Sequence, residues 1–141
     1  MMLVMALIAL TGLLTAMAMG GGMEGMRLRS QARQLAAQLR YTRTQAIATG
    51  VPQRFTVDPR THRWQGANGR HGELPASLAV SFTGAREVQP QAGVGAIGFF
   101  EDGASTGGRI DLRAGAGEWR IEVGWITGQV KAGRVHGRTR Q

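Results

Sequence analysis

Residues 99–112 read FFEDGASTGGRIDL, and Gly103-Ala104-Ser105-Thr106-Gly107 within them fits G-x-S-x-G. That pattern marks the nucleophile elbow of a serine hydrolase, where a sharp turn between a strand and a helix presents the serine. Asp111 and His136 follow, so the chain order Ser…Asp…His is also satisfied. The same letters describe a connection between two β-strands, because Asp102-Gly103 and Gly107-Gly108 are turn-forming pairs. The residues after Ser105 decide between the two. Thr106-Gly107-Gly108 leads into RIDL, which alternates as a strand does and has no helical period. The stretch is expected to be a loop between strands, with Ser105 not a nucleophile and the chain not an enzyme.

Length agrees. The chain has 141 residues, enough for one domain but too few for a hydrolase sheet with its flanking helices. It has no cysteine, which excludes a disulfide framework and a thiolate zinc site. His62, His71 and His136 show no metal-ligand spacing. Glu101, Asp102 and Asp111 lack the spacing of a calcium loop. A phosphate-binding P-loop needs G-K-[ST] at a helix start, which is absent here. No metal or cofactor is expected.

Outward from the loop, residues 51–130 carry a period of two. Strands are expected at 53–57, 63–65, 77–82, 96–100, 109–112, 118–123 and 125–130; Leu78, Val80 and Phe82 alternate, as do Trp119, Ile121 and Val123, which implies strands with one buried face. Residues 86–93 read as an irregular loop. No ten-residue helical pattern occurs after Gly50.

The first fifty residues are different. Residues 1–19, MMLVMALIALTGLLTAMAM, contain no charge. As a helix they extend about 28 Å, close to the roughly 30 Å of a hydrocarbon core. A buried core helix would show a polar face, which this lacks. Ala16-Met17-Ala18 matches a signal-peptide cleavage site, but the positive region that opens such peptides is missing. A membrane anchor built on Leu3, Val4, Leu7, Ile8, Leu10, Leu13 and Leu14 fits best. Glycines at 20–22 and 25 loosen the chain, and a helical period then resumes. Leu28, Ala32, Leu35, Leu39, Thr42 and Ala46 form a stripe, widened by Ala36 and Ile47, which ends at Gly50. Arg27, Arg33, Arg40 and Arg43 fall mainly on other faces and read as solvated, with binding of acidic lipid or DNA as the minority reading.

Charge follows the same division. The net +8 comes from five arginines against Glu24 in residues 1–50 and from Lys131, Arg134, Arg138 and Arg140 at the end. Residues 51–130 are balanced, so a basic nucleic-acid face on the main domain is not supported. The expected division is helix 1–50 (anchor 1–19, amphipathic stem 20–50), β domain 51–130 and flexible basic tail 131–141. The fold class is α+β: a long N-terminal helix followed by a small antiparallel β-sandwich.

An apolar helix, its amphipathic continuation and a small β domain together resemble a type IV pilin-like subunit. RLRSQARQLAAQLRYTRTQAIATGVPQRFTVD looks like the stem and first strand of the GspH/FimT family of minor pseudopilins. IGFFEDGASTGGRIDL resembles its late signature, roughly F-x-x-D-G-x-S-T-G-G-x-I-x-L, carried here by Asp102, Gly103, Ser105, Thr106, Gly107 and Gly108. WRIEVGWITGQV is similar to its closing hairpin.

The resemblance implies a minor pseudopilin of the type II secretion system. Such a subunit is anchored in the inner membrane with its β domain in the periplasm, and it assembles with other pseudopilins near a filament tip. It also implies a basic leader cut by a prepilin peptidase after a glycine, in a motif like G-F-T-L-x-E. This sequence opens at MMLVMALIAL instead, so the true start is expected upstream, with Met1 internal. The other implied role is that of a FimT-like minor pilin that captures DNA. It would use the basic tail, whose Arg134, Arg138 and Arg140 include the G-R-x-R pattern of DNA-binding members.

Overall fold

The computed structural model describes the backbone of residues 2–84 and 93–135 and the side chains of residues 25–84 and 93–135. Helix α1 (Met2–Thr49) is continuous, including across Gly20-Gly21-Gly22 where the sequence suggests a loosened chain. It ends as expected. Gly50 takes φ 67°, a left-handed value, and its N–H donates to the Ala46 carbonyl at 3.1 Å.

Eight strands follow: β1 (Gln53–Asp58), β2 (Arg63–Gln65), β3 (His71–Glu73), β4 (Ala79–Gly84), β5 (Gly95–Phe99), β6 (Gly108–Ala114), β7 (Gly117–Val123) and β8 (Val130–Arg134). They pair antiparallel in two sheets, ordered β3-β2-β1-β5 and β4-β6-β7-β8. The α+β architecture expected from the sequence is therefore the one observed.

One apolar core joins the helix to both sheets. All six residues of the expected stem stripe, Leu28 to Ala46, are buried, and Ala36 with them. They meet Phe55, Val57 and Ile97 of the first sheet and Ile110, Leu112 and Ile121 of the second. Each fully buried leucine or isoleucine contributes about 1.5–3 kcal/mol relative to exposure, so this stripe holds the stem to the domain. Ile47, expected to widen the stripe, is 47% exposed instead. The two sheets also touch through Phe82 of β4, whose ring lies over Gly95 of β5. A Cβ at Gly95 would stand 2.2 Å from that ring, so only glycine fits.

Three other expectations differ from the structure. Strand β3, HGE, was not expected because its residues have little strand preference. Its Gly72 lies beneath Trp64 of β2, which packs flat on the missing side chain. WITGQV is not a strand throughout. Trp125–Thr127 form a turn, and β8 begins only at Val130. Lys131 to Arg134 therefore belong to the sheet, where the sequence suggested the start of a free tail. Most of the expected 86–93 loop lies outside the described residues.

Candidate functional site

The signature loop sits where β5, β6, the 124–129 turn and α1 converge. Phe100 N–H donates to the Ala104 carbonyl at 2.8 Å and Gly103 N–H to the Phe100 carbonyl at 2.9 Å, which fold the loop back on itself. Asp102 Oδ1 accepts from Ala104 N–H at 3.0 Å, an Asx turn that fixes the tip. Gly103 and Gly107 adopt φ 88° and 75°, values that carry little cost only for glycine. Thr106 ties the loop to β5 twice: its N–H donates to the Gly98 carbonyl at 3.0 Å, and its Oγ1 accepts from Gly98 N–H at 3.0 Å. Gly108 opens β6 where a Cβ would stand 2.9 Å from Ile97.

Ser105 is 1% exposed. Its hydroxyl donates to the Gly124 carbonyl at 2.7 Å and accepts from Gly107 N–H at 2.9 Å. Both capacities are used on backbone groups: the buried Gly107 N–H, and the Gly124 carbonyl, which also accepts from Gly128 N–H at 2.9 Å. β6 follows the loop, so the strand–turn–helix of a nucleophile elbow is not formed.

Asp111 does not join Ser105. Its neighbours Ile110 and Leu112 point into the core, so Asp111 lies on the other face of β6. There its Oδ1 accepts from Arg120 Nε at 2.8 Å across the β6–β7 pair. Arg109 Nε stands 3.5 Å from Oδ2, an ion pair without hydrogen-bond geometry. The hydrogen bond to Asp111 holds the Arg120 guanidinium above its ordinary pKa. His136 lies outside the described residues. Among those described, no group of three His, Asp or Glu is placed to hold a metal ion.

What the site assembles is a mechanical junction. The 124–129 turn lies against the signature loop, with Trp125 over Gly107 and Gly128 over Gly103. A Cβ at Gly128 would fall 1.9 Å from the Gly103 carbonyl oxygen, and its φ is 66°. Within the turn, Thr127 N–H donates to the Trp125 carbonyl at 3.0 Å across Ile126, whose φ is 76°. That bond and φ are those of a γ-turn of the rare, strained kind. Arg43 then ties α1 to both loops: Nε donates to the Gly103 carbonyl at 2.9 Å and Nη2 to the Thr127 carbonyl at 3.3 Å. One turn earlier, Arg40 Nη2 donates to the Val130 carbonyl at 3.1 Å.

Sequence reasoning read these two arginines as solvated and missed their role. Their acceptors are backbone carbonyls, which leave no mark on residue identity. The remaining candidates are not brought to this junction. Arg134 is exposed at the end of β8, and Arg138 and Arg140 lie outside the described residues. The side chains of the anchor candidates Leu3, Val4, Leu7, Ile8, Leu10, Leu13 and Leu14 also lie outside them. Among the described residues, no helix is long and apolar enough to cross a membrane.

Known proteins share this arrangement. The minor pseudopilin EpsH from the type 2 secretion system of Vibrio cholerae superposes with a TM-score of 0.62 at 15% identity, covering 77% of this chain and 97% of that one. The type IV minor pilin FimU of Pseudomonas aeruginosa gives 0.58 at 17%, over 77% and 89%. At such identities the likeness is one of fold. A stem helix whose apolar stripe is covered by two antiparallel sheets is the pilin-like fold, and the chain is of that class. The family model described as type II transport protein GspH matches residues 31–128. The type II secretion system protein H of Xanthomonas campestris pv. campestris is 63% identical over 133 residues, 94% of this chain and 79% of that protein. The chain belongs to the GspH family.

Proposed function

We propose that the chain is a minor pseudopilin of a type II secretion system. It is a structural subunit of the periplasmic pseudopilus near its tip and supports protein export. The 63% identity to a secretion system protein H carries this reading and favours it over DNA capture by a FimT-like pilin. The use of Ser105 on backbone hydrogen bonds supports a role without catalysis.

The chemistry is assembly. Residues 1–19 anchor the subunit in the inner membrane with the β domain in the periplasm. When the apolar segment leaves the bilayer, it is buried against the helices of other pseudopilins, and the sheets cover the outside.

The test is complementation of a strain lacking the protein. Leu7→Asp or Leu10→Asp is expected to abolish membrane retention or filament incorporation, and secretion with it. Wild-type secretion by both variants would overturn the proposal. DNA capture would instead appear as a gel shift lost in Arg138→Ala/Arg140→Ala.

A further inference from the structure

Six large apolar residues stand exposed among the described residues, and five of them gather where α1 ends: Ile47, Val51, Phe100, Trp125 and Ile126. Ile47 Cδ1 lies 3.1 Å from where a Cβ would stand on Gly103, whose N–H is bonded to the Phe100 carbonyl. Gln53 pairs with Phe99 at the end of the β1–β5 ladder, so Val51 and Phe100 leave the first sheet side by side. Trp125 packs by its Cβ over Gly107 yet is 73% exposed, and Ile126 beside it holds the strained φ of 76°. A strained turn that keeps two large apolar side chains in water is costly to the free subunit, and such features gather at binding surfaces.

This far pole has an acidic edge. Phe100, Glu101 and Asp102 line a shallow hollow of ≈ 390 Å³. Among the described residues, no cation pairs with either carboxylate. Arg43, which touches the same loop, is held on the Gly103 and Thr127 carbonyls. The opposite pole is its complement. Met26, the sixth exposed apolar residue, stands at the root of the stem beside Arg27 and Arg29. Neither arginine has an ion-pair partner among the described residues.

We propose that the far pole of one copy of this chain receives the stem root of a second copy. The inference rests on the filament reading given above and names the chain itself as the neighbour. Trp125, Ile126 and Phe100 take up Met26 and the aliphatic parts of the arginines, while Glu101 and Asp102 face Arg27 and Arg29. Apolar anchors inside a rim of opposite charges give such a contact both affinity and register. The two surfaces differ, so the contact is heterologous and repeats as an open helical array.

The lengths agree. Gly25 divides α1 into two segments of about 36 Å each at 1.5 Å per residue. With its root on the far pole of the copy below, the upper copy lays its apolar segment beside the whole of that copy's stem. Copies anchored in one bilayer stand level, so the contact forms only after one has risen by about 36 Å.

The chain has no cysteine, so disulfide trapping starts from a clean background. Two differently tagged full-length copies, one Val51→Cys and one Met26→Cys, are expressed together in the native strain and oxidised with copper phenanthroline. A doubly tagged dimer is expected. Trp125→Ala/Phe100→Ala in the Val51→Cys copy should cut its yield about tenfold, because central aromatic residues carry most of an interface's affinity. Glu101→Arg in that copy should also cut the yield, and Arg27→Glu/Arg29→Glu in the other copy should restore it. All these positions are exposed, so unchanged thermal melting checks the fold.

Absence of the doubly tagged dimer overturns the proposal, as does an equal dimer from Val51→Cys alone or an adduct only to a different protein. A yield indifferent to the aromatic and charge variants overturns it too. Secretion by a strain lacking the chain separates the two readings. Unimpaired secretion would sink the secretion reading, while the dimer yield would still decide the two poles.

Discussion

Arg43 on α1 donates from Nε to the carbonyl of Gly103, 2.9 Å away and sixty residues later in the chain. With the second bond to Thr127, one guanidinium holds the helix, the signature loop and the closing turn in register. Hydrogen bonds to a charged donor contribute about 1.5–3 kcal/mol when well shielded, and less where solvent competes. Arg43→Ala should therefore destabilise the protein by about 1–2 kcal/mol in denaturant unfolding. Arg43→Lys should recover part of that, because an ammonium supplies the charge without the two-pronged geometry.

Ser105→Ala removes a hydroxyl that serves two backbone groups. Leaving the Gly107 N–H without a partner, while the Gly124 carbonyl keeps its bond from Gly128 N–H, costs about 1–3 kcal/mol. The expected result is a lower melting temperature with no change in background ester hydrolysis. A variant as stable as wild type would show that the hydroxyl does not hold the loop.

Ile126 is a β-branched residue at φ 76° whose side chain is 63% exposed. A strained backbone of this kind costs on the order of 1–3 kcal/mol, against about 1 kcal/mol of extra unfolded-state freedom for glycine. Ile126→Gly should stabilise the fold by about 1 kcal/mol, measured as a shifted denaturation midpoint at unchanged slope. Destabilisation would mean that the isoleucine side chain contributes packing in this turn.

Asp58 Oδ1 accepts from Arg60 N–H at 2.9 Å at the end of β1, and the Arg60 amide is the main cause that holds its pKa below the ordinary 3.8. A depressed carboxylate stabilises the fold fully above its unfolded pKa, and that contribution disappears as pH falls through the folded value. The stability gap between wild type and Asp58→Ala should thus be constant above about pH 5 and close as the pH drops below about 4. Asp58→Asn keeps the acceptor oxygen, so its stability should show a weaker acid dependence than wild type.

How much of this was legible depends on where the information resides. The stem stripe was readable because burial acts on side chains, and Leu28, Ala32, Leu35, Leu39, Thr42 and Ala46 repeat at helical spacing. The loop around Ser105 was readable because its glycines and Asp102 are the residues that turn chemistry demands. WITGQV misled because Trp125 and Ile126 have strand preference, yet Gly124 and Gly128 close a turn around them, with Gly128 N–H donating to the Gly124 carbonyl at 2.9 Å. Strand β3 was invisible because its place comes from Trp64 lying over Gly72. Arg40 and Arg43 were misassigned because a contact to a distant carbonyl leaves no periodic trace.

The buried stripe from Leu28 to Ala46 runs along the axis of α1 for about 27 Å. A tug on the helix from its N-terminal end loads every one of those contacts together, in shear, with the Arg40 and Arg43 clamps as stops near the far end. Contacts loaded in parallel give way only as a group, whereas a seam peeled from one end fails one side chain at a time. The molecule thus moves as one stiff peg and cap, and force applied at its root reaches the sheets undiminished.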